Sequence, residues 1–401
     1  MMRRVFVLLL FFSAVSVYAQ KFEGLALTPP MGWNSWNHFG CAVNEALIME
    51  TADAMVESGM KDAGYLYVNI DDCWHGERDS LGFIHPHPGH FPSGMKALAD
   101  YVHSRGLKLG LYSDAGWKTC AGRPGSRGYE YQDAMQYAKW GIDYLKYDWC
   151  GTEGLNARGA YLTMRDALYK AGRPIVFSIC EWGNDNPWEW GADIGHLWRI
   201  SGDIAPIFDG EEGHGSWSSW GVLQILDMRK GVRKYAGPDH WNDFDMMEVG
   251  NGMSTDEDRA HFSLWCMMAS PLIAGNDLRI MSQTTLEILT NREAIAVNQD
   301  SPGIQGFKCY QKDHWEIWAK PLKDGNLALC FLNRGLNSVT VKIDWTEQVV
   351  KDDQFGHQYP FSEQVYSIRD LWAKQDIGTT EKAFKAKINS HDVILLRLEK
   401  K

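Results

Sequence analysis

Beyond its first twenty residues the sequence holds no apolar run approaching the ~20 residues a helix needs to cross a bilayer, so the mature chain has no expected membrane span. Positive charge is short as well. The 40 lysines and arginines face 51 aspartates and glutamates, a formal net charge of −11, which disfavours nucleic acid as a partner. The 8 cysteines include no pair at zinc-ribbon spacing, and HExxH is missing, so neither a structural zinc module nor a zinc peptidase is written into the chain. The absence of GxSxG disfavours a serine hydrolase. No strand-like run leads into GxGxxG, the turn of a dinucleotide-binding sheet. Repeats, low-complexity tracts and linkers long enough to tether domains loosely are lacking. Three histidines cluster, His85, His87 and His90 in HPHPGH, but Pro86 and Pro88 make this an irregular loop with no metal expected on it.

What is present begins with a leader. Arg3 and Arg4 precede the apolar run Val5 to Val17, and small-residue spacing at Val17 and Ala19 marks a cleavage point. Residues 1–19 therefore read as a secretory signal peptide, and the mature protein as periplasmic or secreted. No cysteine stands at the cleavage point to take a lipid anchor. The cysteines suit an oxidising compartment in which some of them pair. The ~380 residues that follow exceed what one hydrophobic core usually supports, which predicts a large domain, 20–303, and a small one, 304–401.

Eight runs rich in β-branched, aromatic and apolar residues recur through the large domain. They are MGWNSW from Met31, YLYVNID from Tyr65, LKLGLYSDA from Leu107, YLKYDWC from Tyr144, IVFSIC from Ile175, LWRISGDI from Leu197, HWNDFDMM from His240 and SPLIAGNDL from Ser270. Helical periodicity fills most of the intervals, at Asn44 to Ser58, Gly94 to Ser104, Glu130 to Trp140 and Gly159 to Ala171. Eight strand-then-helix units are the size and grammar of a (β/α)8 TIM barrel, with a doubly wound sheet as the alternative. The fifth unit leaves room only for a short helix between Asn184 and Gly195. After Asp300 the texture changes to alternating strands joined by turns, at His314, Asn326, Ser338, Ala383 and His391, which predicts a C-terminal antiparallel β-sandwich.

In a barrel of this kind chemistry gathers at the C-terminal strand ends, and here those ends are acidic. Asp71 and Asp72 close the second strand, Asp114 the third, Asp148 the fourth, Glu181 the fifth, Asp203 the sixth, and Asp243 with Asp245 the seventh. Trp33, Trp36, Trp74, Trp117, Trp149 and Trp182 fall near the same ends. Carboxylates that accept from hydroxyls, and flat rings that cover C–H faces, are what a carbohydrate pocket requires. Strand alternation turns Lys146, Asp148 and Cys150 one way and Leu145, Tyr147 and Trp149 the other. A cation beside Asp148 favours the ionised form that a nucleophile needs. Arg199, Ser201 and Asp203 are expected to share a strand face in the same manner. If Asp148 and Asp203 face each other across a glycosidic bond, repulsion and burial raise the pKa of one, and two carboxylates suffice for hydrolysis without a metal or other cofactor.

At these residues the chain resembles glycoside hydrolase family 27, the α-galactosidase and α-N-acetylgalactosaminidase group of clan D. TPPMGWNSWNHFGC, YVNIDDCW, LGLYSDAG, YLKYDWC, SICEWG, WRISGDI and WNDFDMMEVGNG carry the likeness, from about Leu25 to about Leu278. The resemblance implies a barrel followed by an antiparallel β domain, a retaining double displacement, Asp148 as nucleophile and Asp203 as acid/base. It places Trp36, Asp71, Asp72, Tyr112, Lys146, Cys180, Glu181, Trp182, Arg199 and Met246 around the sugar, with Asp71 and Asp72 on the 4- and 6-hydroxyls of galactose. It implies disulfides from Cys41 to Cys73 and from Cys120 to Cys150, and an α-galactoside oligosaccharide or polysaccharide as substrate. Members acting on β-L-arabinopyranosides or α-N-acetylgalactosaminides are the neighbouring alternatives, and a non-catalytic sugar-binding barrel is the alternative of another class. The large Glu181 and the intact Asp71–Asp72 pair favour galactose. Phe244 stands where the family has proline, a change expected to loosen the loop that presents Met246.

Overall fold

The computed structural model describes residues 21–229 and 231–401; the expected signal peptide lies outside the described residues. Eight strands form one parallel sheet: β1 (Met31–Asn34), β2 (Tyr67–Ile70), β3 (Lys108–Asp114), β4 (Tyr144–Asp148), β5 (Val176–Ile179), β6 (Leu197–Arg199), β7 (Trp241–Asp243) and β8 (Leu272–Ala274). They are short and mostly buried on both faces, as strands covered inside by the barrel core and outside by helices must be. Across the sheet they run β7, β6, β5, β4, β3, β2, β1, β8, which is the order of the chain cut at one point. Met247 spans that cut. It pairs in parallel with Ala274, and its N–H donates to the Ile273 carbonyl at 2.7 Å. The sheet thus curls on itself as a (β/α)8 barrel, and the reversal of strand order that defines a doubly wound sheet is absent from it.

The helices sit where the periodicity places them, at Glu45–Glu57, Gly94–Ser104, Glu130–Trp140 and Ala157–Ala171. Asn44 and Asn156 cap two of them by accepting from backbone N–H groups at Leu47 and Gly159. A capping box between Ser254 and Glu257 starts the helix Thr255–Met268, which is buried almost throughout. The fifth unit has only two single-turn 3-10 helices, Pro187–Glu189 and Gly191–Asp193.

From Phe307 onward the chain is antiparallel β. A six-stranded sheet runs in the order Phe307–Lys312, Trp315–Pro321, Leu327–Asn333, Val393–Lys400, Tyr366–Asp370, Gln375–Thr379. Two strand pairs, Val339–Ile343 with Phe384–Ile388 and Val349–Asp352 with His357–Pro360, complete the region. The period of two decides what the large sheet touches. Trp318, Cys330, Leu332 and Leu395 join the core of the barrel, while Ile317, Leu329, Phe331 and Leu396 build a second core with Trp345 and Tyr359. One face therefore glues the sandwich to the barrel and the other holds the sandwich together.

Arginines mark the seam. Arg233 pairs with Asp352 through both nitrogens of its fork while Phe307 and Phe355 cover the guanidinium at 4.7 and 4.6 Å. Arg259 meets Asp392 at 2.6 Å, Arg334 meets Asp227 at 2.6 Å, and Arg369 meets Glu293 at 2.6 Å.

Candidate active site

The strand ends hold the predicted carboxylates in a linked network. Asp71, just past β2, accepts from Asn34 Nδ2 at 2.7 Å and from Lys146 Nζ at 2.9 Å. Asp72 accepts from the Ala121 N–H at 2.9 Å, which pins the loop after β3 to the end of β2. Asp114 accepts from the N–H groups of Gly116 and Cys150 at 2.6 and 2.9 Å, so it ties the β3 and β4 loops together beside Asp148. Disulfide Cys41–Cys73 fastens the segment after β1 to the end of β2, and Cys120–Cys150 fastens the loops after β3 and β4. Asp148 itself accepts from the Trp149 N–H at 2.9 Å.

Arg199 is the hub of the opposite side. Its Nη2 reaches Asp203 Oδ1 at 3.1 Å, Asp245 Oδ2 at 2.9 Å and the Ser201 carbonyl at 3.2 Å. Asp245 also accepts from the N–H groups of Ile204 and Met246, each at 2.8 Å. Asp203 was expected on the strand face of Arg199, but β6 ends at Arg199 and Asp203 stands in the loop beyond it. The long guanidinium arm bridges the gap that alternation alone would not.

Burial sets the ionisation of this cluster. Asp148 is 5 % exposed, whereas the Asp203 side chain is 40 % exposed. Burial pushes the Asp148 pKa up to about 7; Lys146 opposes the rise, and the charges of Asp203 and Asp71 add to it. The sequence expectation that a neighbouring ammonium would dominate is thus corrected. Lys146 spends its direct contact on Asp71, and desolvation outweighs its field at Asp148. Burial, and then the charge of Asp148, lifts Asp114 to about 8. Burial lifts Glu181 to about 7 and Asp243 to about 6.

Buried polar atoms without a hydrogen-bond partner among the described residues gather here. Tyr112 Oη, Glu181 Oε1, Arg199 Nε, Ser201 Oγ and Asn69 Oδ1 are such atoms. Leaving buried donors and acceptors unmade costs about 1–3 kcal/mol each, so a concentration of them points to a polar ligand that completes the set. A small cavity of about 20 Å³ at the floor brings Lys146, Cys180, Arg199 and Met246 together with Asn34, Asn69, Asp243 and Asp245.

The tryptophans divide. Trp36 and Trp182 are half-buried at the barrel mouth, and Trp182 stands in left-handed backbone at φ 59°, which aims the CEW turn. Gly183 follows it because a Cβ there would lie 2.6 Å from the Ile200 carbonyl oxygen. Trp149 stacks on Tyr161 with ring centroids 5.6 Å apart. Trp33 and Trp74 are fully buried, their indole N–H groups donating to the carbonyls of Asn276 and Tyr112, so they are core and not rim. Trp117 is 61 % exposed with Arg127 over its ring.

Asn34, Asn69 and Asp245 were not assigned to the pocket from sequence. Asp245 stood in WNDFDMM as a rim acid, but Asn34 and Asn69 carry no charge and offered only their strand positions as a signal.

Residues 28–300 match the family described as Alpha galactosidase A, and residues 312–398 match the Alpha galactosidase C-terminal beta sandwich domain. The chain belongs to the alpha-galactosidase A family. It is 61 % identical over 385 residues to Alpha-galactosidase A of Cellvibrio japonicus, covering 96 % of this chain and 95 % of that one. It is 47 % identical over 372 residues to an Alpha-galactosidase of Cyamopsis tetragonoloba, with 92 % and 85 % covered. The solved alpha-galactosidase from Saccharomyces cerevisiae with raffinose is 31 % identical and superposes with a TM-score of 0.88 over 96 % of this chain and all of that one. The loop carrying Phe244, expected to be loosened, is well held. The Phe244 N–H, which proline would lack, donates to Ser270 Oγ at 3.2 Å, and its ring packs edge-on against Trp265 at 6.0 Å.

Proposed function

We propose that this protein is an exported, retaining exo-α-galactosidase that removes terminal α-linked galactose from galacto-oligosaccharides, with Asp148 as nucleophile and Asp203 as acid/base. Asp148 attacks the anomeric carbon while Asp203 protonates the departing glycosidic oxygen. Asp203 then takes a proton from the water that releases galactose from Asp148, so the α configuration is kept. Trp36, Asp71, Asp72, Tyr112, Lys146, Cys180, Glu181, Trp182, Arg199 and Met246 surround the sugar in this reading, Asp71 and Asp72 serving the 4- and 6-hydroxyls.

The observation that carries the reading is the meeting of two kinds of group in one place: carboxylates whose charges act on each other, and buried donors and acceptors without a partner among the described residues. Further support comes from the relatives named above. The large, fully buried Glu181 favours galactose over N-acetylgalactosamine. The leader supports export, and no helix among the described residues is long and apolar enough to cross a membrane. The test is hydrolysis of nitrophenyl α-galactoside, β-L-arabinopyranoside and α-N-acetylgalactosaminide side by side, with the anomer released followed by NMR. Preferential turnover of the first with α-galactose as the initial product supports the reading; negligible turnover of it, or β-galactose first, overturns it.

A further inference from the structure

The loop that carries Asp203 does not run directly into the next helix. It first rises as a β-hairpin, Glu211–Gly213 paired with Ser218–Trp220, before the helix Val222–Met228 begins. The base of this hairpin is bound to the main chain of the acid. The Trp220 N–H donates to the Asp203 carbonyl at 2.8 Å, the Ala205 N–H donates to the Trp220 carbonyl at 2.9 Å, and Ile204 bridges Trp220 in parallel. Trp220 also closes on Gly202, where a Cβ would come within 3.0 Å of the indole nitrogen. Asp203 and the hairpin are therefore one rigid unit.

The tip of that unit presents Trp217, 54 % exposed. Its orientation is fixed from one side. The His214 ring lies against it with centroids 4.1 Å apart at 31°, His214 Nε2 shares a hydrogen bond with the buried Ser219 hydroxyl at 2.8 Å, and the His214 N–H donates to the Trp217 carbonyl at 2.8 Å. Single exposed aromatics are ordinary on protein surfaces, but this one is preorganised by two contacts from His214, itself held by Ser219, and is coupled to the proposed acid. It stands three residues before Trp220 in the chain, so it lies within about 11 Å of the residue whose N–H is bonded to the Asp203 carbonyl.

We propose that this hairpin is the leaving-group subsite and that Trp217 stacks on a neutral hexopyranose of the departing saccharide. The inference rests on Asp203 as the acid/base, because the leaving group must lie on the side from which its oxygen is protonated. Neutrality follows from the exposed Asp209, Glu211 and Glu212 on the same unit, which would repel a uronate or sulfated ring. Trp117, the other strongly exposed tryptophan near the mouth, belongs to the loop after β3 and already has Arg127 over its ring at 4.6 Å.

The test compares α-galactosyl fluoride, whose leaving group has no ring, with galactose α-linked to a neutral trisaccharide. In Trp217→Ala the ratio of kcat/KM for the oligosaccharide to kcat/KM for the fluoride is expected to fall about five- to tenfold, mainly through KM, and Trp217→Phe to restore most of it. An unchanged ratio in Trp217→Ala, or Trp217→Phe behaving like the alanine variant, overturns the subsite. Asp203→Asn is the separate control. As acid/base, its loss must lower kcat/KM for the oligosaccharide far more than kcat/KM for the fluoride, whose departure needs no proton; an equal fall in the two kcat/KM values removes the premise, whatever Trp217 does.

Discussion

Charged groups gather both at the barrel mouth and at the seam with the sandwich, but they are matched very differently. At the seam Arg233, Arg259, Arg334 and Arg369 each meet a carboxylate from the other region, and Arg233 is clamped between two phenyl rings as well. At the mouth Asp71, Asp148, Asp203, Asp243 and Asp245 share Lys146 and Arg199, and nearby polar atoms find no partner among the described residues. The seam spends its charges on docking two domains in one register. The mouth holds its groups at the expense of stability, and raised carboxyl pKa values are the measure of that cost.

The largest effect is expected on removing the proposed nucleophile. Asp148→Asn should lower hydrolysis of the oligosaccharide by about 10⁴-fold or more. The same change should make the protein more stable at pH 8 while leaving it nearly as stable as before at pH 4. The sign follows from a folded pKa of about 7 lying above the unfolded value of 3.8: the folded state holds the proton more tightly, so stability is lost as pH rises through 7, and an amide has no such loss. Thermal melts at the two pH values check it. At the seam the opposite holds. Arg233→Ala leaves Asp352 buried and unpaired and should cost about 3–5 kcal/mol in urea unfolding, with kcat/KM for α-galactosyl fluoride changed less than twofold.

Lys146→Met tests how far the ammonium offsets burial at the mouth. Losing the ammonium that opposes burial should move the acid limb of kcat/KM upward by about one pH unit, read from a pH profile on the fluoride. The smallest effect is expected at Ser270→Ala. It removes the acceptor for the Phe244 N–H and should cost about 1 kcal/mol, with KM raised a few-fold through the loop that presents Met246.

The barrel was legible because its strands are compact apolar runs closed by turns, and its rim because acids at strand ends have few structural reasons to recur eight times. What escaped the sequence has physical causes. The strands Phe307–Lys312 and Gln375–Thr379 went unread because they lie at the two edges of their sheet and are largely exposed, so no apolar alternation marks them. Trp33 and Trp74 were placed at the rim because proximity to a strand end does not tell which way an indole turns. The sign of the Asp148 shift was missed since alternation reports neighbours two residues away, whereas Lys146 is claimed by Asp71, 75 residues distant along the chain. Asp203 was matched with Arg199 for a strand that stops at Arg199; only side-chain length made the pairing real.

The most direct measurement is to trap the covalent sugar. A 2-fluorinated α-galactosyl donor with a reactive leaving group slows release more than attack, and peptide mass spectrometry then locates the label. One galactosyl adduct is expected, on the carboxylate of Asp148 within YLKYDWC. An adduct on any other carboxylate, or turnover without one and with β-galactose released first, would contradict that assignment.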